Sequence, residues 1–207
     1  MDRRMDTIGH VRGMLANGPA GSSSDFDLNP GVVGPWPVAD KLRPAAVLVP
    51  LIESPRGVNV ILTKRASHLK HHPGQIAFPG GKVDATDADE VAAALREAEE
   101  EIALPASNVE VMGRMPFHQT VTSFQITPVV GRVVDPFIAR PEAGEVAEVF
   151  EVPLAYLADP ANYLIEGRYW GGIHRRYYAI PYGPYYIWGA TARILRGFAE
   201  RLSEWHG

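Results

Sequence analysis

Residues 78–104 constrain this chain more than any other part of its sequence. They read FPGGKVDATDADEVAAALREAEEEIAL: a glycine pair, an aspartate-rich turn, and a helix whose second half is strongly acidic. Residues three or four apart share one face of a helix, so Glu97, Glu100 and Glu101 predict one stripe of three carboxylates. Such crowding is repulsive unless a cation joins it, and oxygen ligands of this kind suit Mg²⁺ or Mn²⁺. We therefore predict a metal-dependent enzyme that acts on phosphates.

The remaining positions of this helix predict how it begins, packs and ends. Asp87 and Glu90 have the spacing of a capping box at its start, and Pro105 ends it. Ala93 and Ala94 lie near the acidic stripe, where their small side chains are expected to leave room for a ligand. At about 100° per residue, one apolar stripe is predicted to face the core: Val91, Leu95, Ala98 and Ile102.

A glutamate-rich helix face taken alone is more often a solvated surface than a site. The glycine pair ahead of the helix changes that balance. At Gly80 and Gly81 the backbone carries no side chain and can pass close to a metal ion or a phosphate. The combination of glycines and carboxylates favours a functional site.

The segment 81–104 resembles the Nudix box, the signature of hydrolases that cleave nucleoside diphosphates linked to another moiety. The pairs Arg96-Glu97 and Glu100-Glu101 match the core of that motif. The resemblance implies an α/β fold, a Nudix-type α/β/α sandwich with a mixed central sheet. Strands mixed with two substantial helices indicate the same layered class.

The resemblance also implies roles for the box residues. Glu97 and Glu101, one turn apart, are expected to hold the main Mg²⁺ or Mn²⁺ ion, with Glu100 serving a second ion or a water molecule. The carbonyl oxygen of Gly81 or Gly80 is expected to complete the metal shell. The expected reaction is hydrolysis of a pyrophosphate by metal-activated water.

The box departs from its commonest form in three places. The loop between Gly81 and Arg96 is one residue longer, and Ala88 falls where an earlier glutamate is expected. Ala103 replaces the usual glycine after the double glutamate, which makes a left-handed helix cap less expected there. The implied role of Arg96, which is present, is to orient a glutamate through a charge-assisted hydrogen bond.

The general base is left open by the sequence. Nudix enzymes take it either from the box helix or from a distant loop. The loop EAGEVAEVFEVPL offers Glu145 and Glu148 just before a strand, and each is a candidate. The alternative is that both are ordinary exposed loop acids.

A second motif precedes the box in residues 62–81, LTKRASHLKHHPGQIAFPGG. It is similar to the extra motif of the coenzyme A pyrophosphatase branch of Nudix enzymes. We expect Arg65 and Lys70 to contact phosphates, although Lys70 stands where arginine is usual and lacks the planar fork of a guanidinium. The matching positions are Leu62, Thr63, Arg65, Ala66, Lys70, Gly74 and Phe78 to Gly81.

This motif also forms a basic island in a chain whose net charge is −4. Coenzyme A carries a pyrophosphate and a separate 3′-phosphate, which such an island would neutralise. If the resemblance extends to the substrate, coenzyme A is cut to 3′,5′-ADP and 4′-phosphopantetheine. The alternatives are a Nudix hydrolase of ADP-ribose or NADH, or a non-catalytic nucleotide-binding domain. Three histidines of the island are equally consistent with exposed loop residues that have no role in binding: His68, His71 and His72.

Composition sets broad limits on the class of protein. A chain of 207 residues, 46% hydrophobic and 21% charged, is typical of a globular protein with a sizeable core. It has no cysteine, no apolar run near the ~20 residues that cross a bilayer, and no secretory leader pattern. We therefore expect a cytoplasmic protein without membrane or nucleic-acid partners, whose N-terminal helix could mediate a homodimer.

Along the chain, residues 1–42 are predicted to form an N-terminal helix, over 3–16, and an irregular extension. Residues 43–207 are predicted to form the Nudix domain, with hairpins over 45–64 and 169–180, strands over 109–119, 124–134 and 148–152, a helical turn from 153 and a closing helix over 188–205. A set of C-terminal aromatics could stack on adenine but is more often core packing: Tyr177, Tyr178, Tyr182, Tyr185, Tyr186 and Trp188.

Overall fold

The computed structural model describes residues 6–16, 18, 21–32 and 42–205. The helices are α1 Thr7–Ala16, α2 Glu90–Ile102, α3 Leu154–Ala158 and α4 Ala190–Glu204. The strands are β1 Ser23–Ser24, β2 Arg43–Ser54, β3 Gly57–Arg65, β4 Ile76–Ala77, β5 Gly80–Lys82, β6 Val109–Arg114, β7 His118–Gln119, β8 Phe124–Val133, β9 Val146–Pro153, β10 Leu164–Trp170, β11 Ile173–Tyr182 and β12 Tyr185–Trp188.

The main sheet is mixed and is organised around β2. This strand pairs in parallel with β8 and antiparallel with β3 and β5. β3 continues the sheet to β4 and β9, while β8 continues it to β6 and β7, and β1 joins β7 in parallel. A separate antiparallel sheet contains β10, β11 and β12. The predicted α/β class with a mixed central sheet is confirmed.

Both faces of the main sheet are covered, which is why β2 is apolar along most of its length. Successive side chains of a strand point to opposite faces. Ala46 and Leu48 pack in the cluster that contains α2, whereas Val49 and Leu51 pack in the cluster that contains α1, α3 and α4. The sheet therefore lies between two helical layers, and the predicted α/β/α sandwich is confirmed.

Most predicted elements are present in the structure. The hairpin over 45–64 is β2 and β3, the hairpin over 169–180 is β10 and β11, and the closing helix is α4. The N-terminal helix begins at Thr7, and residues 3–5 of the predicted helix lie outside the described residues. The predicted irregular extension contains β1, and residues 33–41 of it are also outside the described part. No helix within the described ranges has the length and apolarity to cross a bilayer.

Two expectations about α2 are wrong. Its N-cap is Asp89, whose carboxylate accepts a hydrogen bond of 2.9 Å from the backbone N–H of Ala92, so Asp87 is not the cap. Ala93 and Ala94 leave no room for a ligand, because both are completely buried. They pack in one cluster with Ala46 of β2. The small side chains bring the helix close to the sheet instead.

The end of α2 corrects a third expectation. Ala103 adopts the left-handed conformation, with φ 56° and ψ 36°, which the missing glycine had made unexpected. The N–H of Ala103 donates to the carbonyl oxygen of Glu99 at 3.0 Å, the bond of an αL cap, and the N–H of Leu104 donates to the carbonyl oxygen of Ala98 at 3.3 Å. Leu104 is completely buried. Burial of a leucine contributes about 1.5–3 kcal/mol, which exceeds the cost of about 1–2 kcal/mol for one left-handed L-residue.

We predict that Ala103→Gly stabilises the protein by about 1 kcal/mol, because glycine adopts the left-handed conformation without the steric cost of a Cβ atom. Urea unfolding followed by circular dichroism measures the change. Ala92→Gly is the matched control within the helix and should lose about 0.5–1 kcal/mol. Equal destabilisation by both substitutions would show that the conformation of Ala103 carries no strain.

Candidate active site

The glycine pair lies where the backbone has no space for side chains. A Cβ atom on Gly80, whose φ is +156°, would approach the carbonyl oxygen of Ala46 to 2.4 Å. A Cβ atom on Gly81 would approach Oε1 of Glu97 to 2.4 Å. Strand β5 pairs with β2 at this point, opposite the start of the acidic stripe. The backbone of β2 therefore requires glycine at position 80, whereas glycine at position 81 leaves space for the carboxylate of Glu97.

Glu101 is the most unusual carboxylate of the box, because only 5% of it is exposed. The backbone N–H of Gly80 donates a hydrogen bond of 3.3 Å to its Oε2. Burial raises the pKa of Glu101 to about 8, and the negative charges of Glu97 and Glu145 act in the same direction. Burial also raises the pKa of Glu97. The stripe is thus only partly solvated: Glu101 is buried, Glu97 is half-buried and Glu100 is exposed.

Arg96 connects the carboxylates of the box. Its Nη1 donates to Oε1 of Glu97 and to Oε2 of Glu100, both at 3.1 Å. Its Nε and Nη2 form a fork on the carboxylate of Asp87, at 3.0 and 2.9 Å. The hydrogen bonds from Arg96 hold the pKa of Asp87 below its ordinary value. The contact expected between Arg96 and a glutamate is present, while the anchoring by Asp87 was missed because we had assigned that residue to the helix cap.

The donor chemistry of this stripe fits a hard divalent cation. Glu97, Glu100, Glu101 and the carbonyl of Gly81 supply only oxygen atoms, which Mg²⁺ and Mn²⁺ prefer. Glu101 is buried and accepts a hydrogen bond from the N–H of Gly80, but its raised pKa shows that ionisation there is costly. A bound cation would offset that cost. Among the described residues, no three acidic or histidine side chains are already spaced to hold a metal ion. Arg96 bridges two of the expected ligands in this structure.

The two candidate bases lie in different surroundings. The loop of Glu145 contacts the box helix, because the N–H of Glu142 donates to the carbonyl oxygen of Glu101 at 2.9 Å. The side chain of Glu145 is exposed, and its charge contributes to the raised pKa of both Glu97 and Glu101. Glu148 instead accepts a hydrogen bond from the hydroxyl of Tyr185. Its neighbour Val149 packs against the α2 cluster, so strand alternation turns Glu148 to the other face of the sheet.

A cleft of about 460 Å³ opens beside Gly80. Arg65, His72, Gln75 and Gly80 bring the motif of residues 62–81 into its wall. Lys70 is exposed and does not line it, and the structure thus separates the two predicted phosphate contacts. The Nε atom of Arg65 is buried and has no hydrogen-bond partner in the described part of the protein. The other walls come from distant segments, with lining residues that include Asp25, Phe124, Trp170, Arg175, Tyr177 and Trp188.

Residues 21–32, which we call the strap, form one wall of the cleft and are fastened by a buried histidine. His118 is completely buried, with Nε2 lying 3.2 Å from Oδ1 of Asp25 and Nδ1 lying 3.0 Å from Oγ of Ser23. Burial opposes ionisation of Asp25, but the hydrogen bond and charge of His118 and the N–H of Val121 outweigh it, and its pKa is lowered. A carboxylate can only accept, so Nε2 of His118 carries a proton.

Sequence reasoning missed the strap and part of the aromatic wall. Asp25 and His118 are 93 positions apart, and no local pattern connects them. Trp170 lies beyond the group of C-terminal aromatics that we had considered for stacking. Of that group, Tyr177, Tyr178 and Trp188 line the cleft. The signal in the sequence for this wall was the spacing of aromatic residues at alternate positions of β10 to β12, which places them on one face of the small sheet.

Comparison with known proteins agrees with this architecture. Residues 41–162 match the NUDIX domain. A protein of Salmonella paratyphi B, described as the uncharacterized Nudix hydrolase NudL, is 47% identical over 160 residues, which are 77% of this chain and 83% of the relative. The Escherichia coli protein of the same description is 46% identical over the same shares. A solved MutT protein from Methanosarcina mazei Go1 shares the fold, with a TM-score of 0.50, 18% identity, and coverage of 80% of this chain and 96% of that one.

The chain belongs to the Nudix family. It is a Nudix hydrolase, a pyrophosphatase that acts on a nucleoside diphosphate derivative. Hydrolases of this family generally use divalent metals such as Mg²⁺ or Mn²⁺. The non-catalytic alternative is therefore set aside.

We predict that Glu101→Gln stabilises the metal-free protein at pH 8 by roughly 3 kcal/mol. The pKa of Glu101 rises from an ordinary 4.5 to about 8, so its ionisation costs stability progressively between those two pH values. Glutamine keeps the hydrogen bond from Gly80 without that charge. Thermal unfolding in EDTA at pH 5 and pH 8 measures the difference, which should be small at pH 5.

Glu99→Gln is the control for this measurement, because Glu99 is exposed on the same helix. It should unfold like the wild type at both pH values. Addition of Mg²⁺ should stabilise the wild type and the Glu99 variant but not Glu101→Gln. An unchanged or lower melting temperature for Glu101→Gln in EDTA at pH 8 would contradict a costly buried charge.

Proposed function

We propose that this protein hydrolyses the pyrophosphate bond of coenzyme A or its derivatives, giving 3′,5′-ADP and 4′-phosphopantetheine or its acyl form. The observation that carries the proposal is the position of the residues 62–81. Strand β3 ends at Arg65, the following turn presents His72 and Gln75, and β5 begins at Gly80, so one wall of the cleft is made by this motif. The motif is similar to that of coenzyme A pyrophosphatases.

The charge of the cleft supports a substrate with more than one phosphate group. The chain as a whole has a net charge of −4. Its cleft is lined by the four arginines Arg65, Arg175, Arg176 and Arg193, and by Asp25 as the single acidic residue among the described ones. Guanidinium groups bind phosphate oxygens through two parallel bonds. Coenzyme A offers a diphosphate and a 3′-phosphate to such a surface.

In this proposal Glu97, Glu100, Glu101 and the carbonyl oxygen of Gly81 hold Mg²⁺ or Mn²⁺. The ion, when bound, supplies positive charge to the diphosphate and lowers the pKa of coordinated water. Arg96, anchored on Asp87, fixes the positions of Glu97 and Glu100 through its hydrogen bonds. Arg65 donates to a phosphate oxygen through its buried Nε. The cytoplasmic location and a homodimer stay predictions of the sequence, as does the domain boundary at residue 43.

Glu145 is the general base in this proposal. The loop that carries Glu145 reaches the box helix, since the N–H of Glu142 donates to the carbonyl oxygen of Glu101, while Glu148 accepts a hydrogen bond from Tyr185 on the other face of the sheet. An exposed carboxylate at the edge of the stripe can accept the proton of the attacking water and pass it to solvent.

The substrate is tested by parallel assays of coenzyme A, ADP-ribose and NADH, each with Mg²⁺ and with Mn²⁺. We expect the highest kcat/KM for coenzyme A, and 3′,5′-ADP and 4′-phosphopantetheine as the products identified by mass spectrometry. Glu101→Gln should be inactive with every substrate. Cleavage of ADP-ribose or NADH far faster than coenzyme A would overturn the substrate but leave the family intact.

The motif itself is tested by Arg65→Gln, which should lower kcat/KM for coenzyme A by roughly 10- to 100-fold, the usual loss for one charge-assisted hydrogen bond. Arg56→Gln is the matched control, since Arg56 is exposed in the turn between β2 and β3. Equal activity of both variants would remove Arg65 from phosphate binding.

The base is tested by comparing Glu145→Gln with Glu148→Gln. We expect Glu145→Gln to lower kcat by about 100-fold or more with little change in KM, the range for loss of one proton-transfer group. Glu148→Gln should retain nearly full kcat because it contacts Tyr185. If both variants keep full turnover while Glu101→Gln is inactive, the base belongs to the box helix.

A further inference from the structure

The far wall of the cleft lies outside the part of the chain that matches the NUDIX domain. That match ends at residue 162, and β10, β11 and β12 follow it. Their antiparallel pairing places Ala179 opposite Trp188 and Ile173 opposite Trp170. Directly opposed residues share one face of a sheet, and so do alternate residues along a strand. Trp170, Tyr177 and Trp188 therefore share one face.

These three rings form one contiguous surface, which we call the aromatic platform. Tyr177 lies 5.3 Å from Trp188 and 5.7 Å from Trp170 between ring centroids. The two tryptophan rings are nearly parallel, with an interplanar angle of 13° and centroids 6.2 Å apart. All three residues line the cleft that also contains Gly80. The platform and Gly80 thus lie in the same open cleft.

The packing of this small sheet does not use the platform. Its other face supplies Ile180 and Ile187, both completely buried in the main core. Trp170, Tyr177 and Trp188 are each only partly buried. Large aromatic side chains left partly open inside a cleft offer flat apolar faces to a ligand, and their geometry favours a second flat ring.

Arg175 supports the platform from one side. Its guanidinium carbon lies 5.7 Å from the ring centroid of Trp170 and 6.0 Å from that of Phe26 in the strap. Its Nη2 also donates to the carbonyl oxygen of Asp25 at 3.4 Å. These contacts connect the platform to the strap, so the wall is held in place before a ligand arrives.

We propose that the aromatic platform binds the heteroaromatic base of the nucleotide substrate by stacking. The inference rests on the proposed function in taking coenzyme A, an adenine nucleotide, as the substrate. In this arrangement the diphosphate lies near Gly80 and Arg65, where the contact of Gly80 with Glu101 connects the cleft to the acidic stripe, and the platform receives the base. Trp170 is a binding residue in this arrangement and takes no part in the bond cleavage.

The test measures binding of AMP and of 3′,5′-ADP by calorimetry to the full chain and to Trp170→Leu. We expect affinity for both probes to fall about 5- to 150-fold, the range found when a stacked aromatic is removed. Trp170→Phe should restore most of the affinity. Inorganic pyrophosphate, which has no base, should bind all three proteins equally.

Tyr169→Leu is the matched control, because Tyr169 precedes Trp170 on β10, points to the other face and is 70% exposed. It should bind AMP like the wild type. Tyr177→Leu provides a second variant if Trp170→Leu unfolds, and its affinity for AMP should fall while its affinity for pyrophosphate does not. Unchanged AMP binding in the folded variants, or an equal loss for pyrophosphate, would overturn the platform.

The same variants separate the platform from the choice of substrate. If coenzyme A is not cleaved but Trp170→Leu loses AMP binding, the proposed substrate fails and the platform stands. If coenzyme A is cleaved and Trp170→Leu keeps the wild-type KM, the platform fails and the proposed function stands.

Discussion

The site depends on one buried carboxylate held against a backbone without side chains. Glu101 accepts a hydrogen bond from the N–H of Gly80, and its neighbour Glu97 lies where a Cβ atom of Gly81 would be. This approach is set by packing, because completely buried alanines of α2 let the helix lie close to β2. A larger residue there would move the carboxylates away from the glycine pair. The small alanines of α2 and the glycines of β5 are therefore both needed for the helix to lie this close to the sheet. The burial that results raises the pKa of Glu101.

The main sheet separates the chemistry from much of the remaining protein. One face carries α2 and its alanines, and the other carries α1, α3 and α4 together with the core side of the small sheet. Glu145 lies in the turn before β9 and Glu148 lies within that strand, which is why these two residues, three positions apart, meet different partners. The closeness of Glu145 and Glu148 in sequence therefore does not predict a shared role. The face on which a side chain lies decides which reaction it can take part in.

Local patterns predicted much of this structure, and tertiary constraints decided the rest. The acidic stripe, the glycine pair, the hairpins and the closing helix could be read from spacing and turn residues, since each depends on neighbours in sequence. The left-handed Ala103 could not, because burial of Leu104 overrides the preference for glycine. Asp87 was misassigned because two aspartates precede the helix: Asp89 caps it, whereas Asp87 accepts hydrogen bonds from Arg96. The pair of Asp25 and His118 depends on the whole fold.

The cleft is lined by residues of the NUDIX match and by residues of the segments before and after it. The part of the chain that matches the NUDIX domain contains the carboxylates, the glycine pair and Arg65, which in the proposed function meet the diphosphate of the substrate. The strap and β10 to β12 lie outside that match and supply Asp25, Trp170 and Trp188. Groups that surround the base and ribose of a nucleotide can change while the diphosphate chemistry is kept. Selectivity in such a molecule can therefore vary through its terminal segments while the α2 stripe, which tolerates little change in packing, stays fixed.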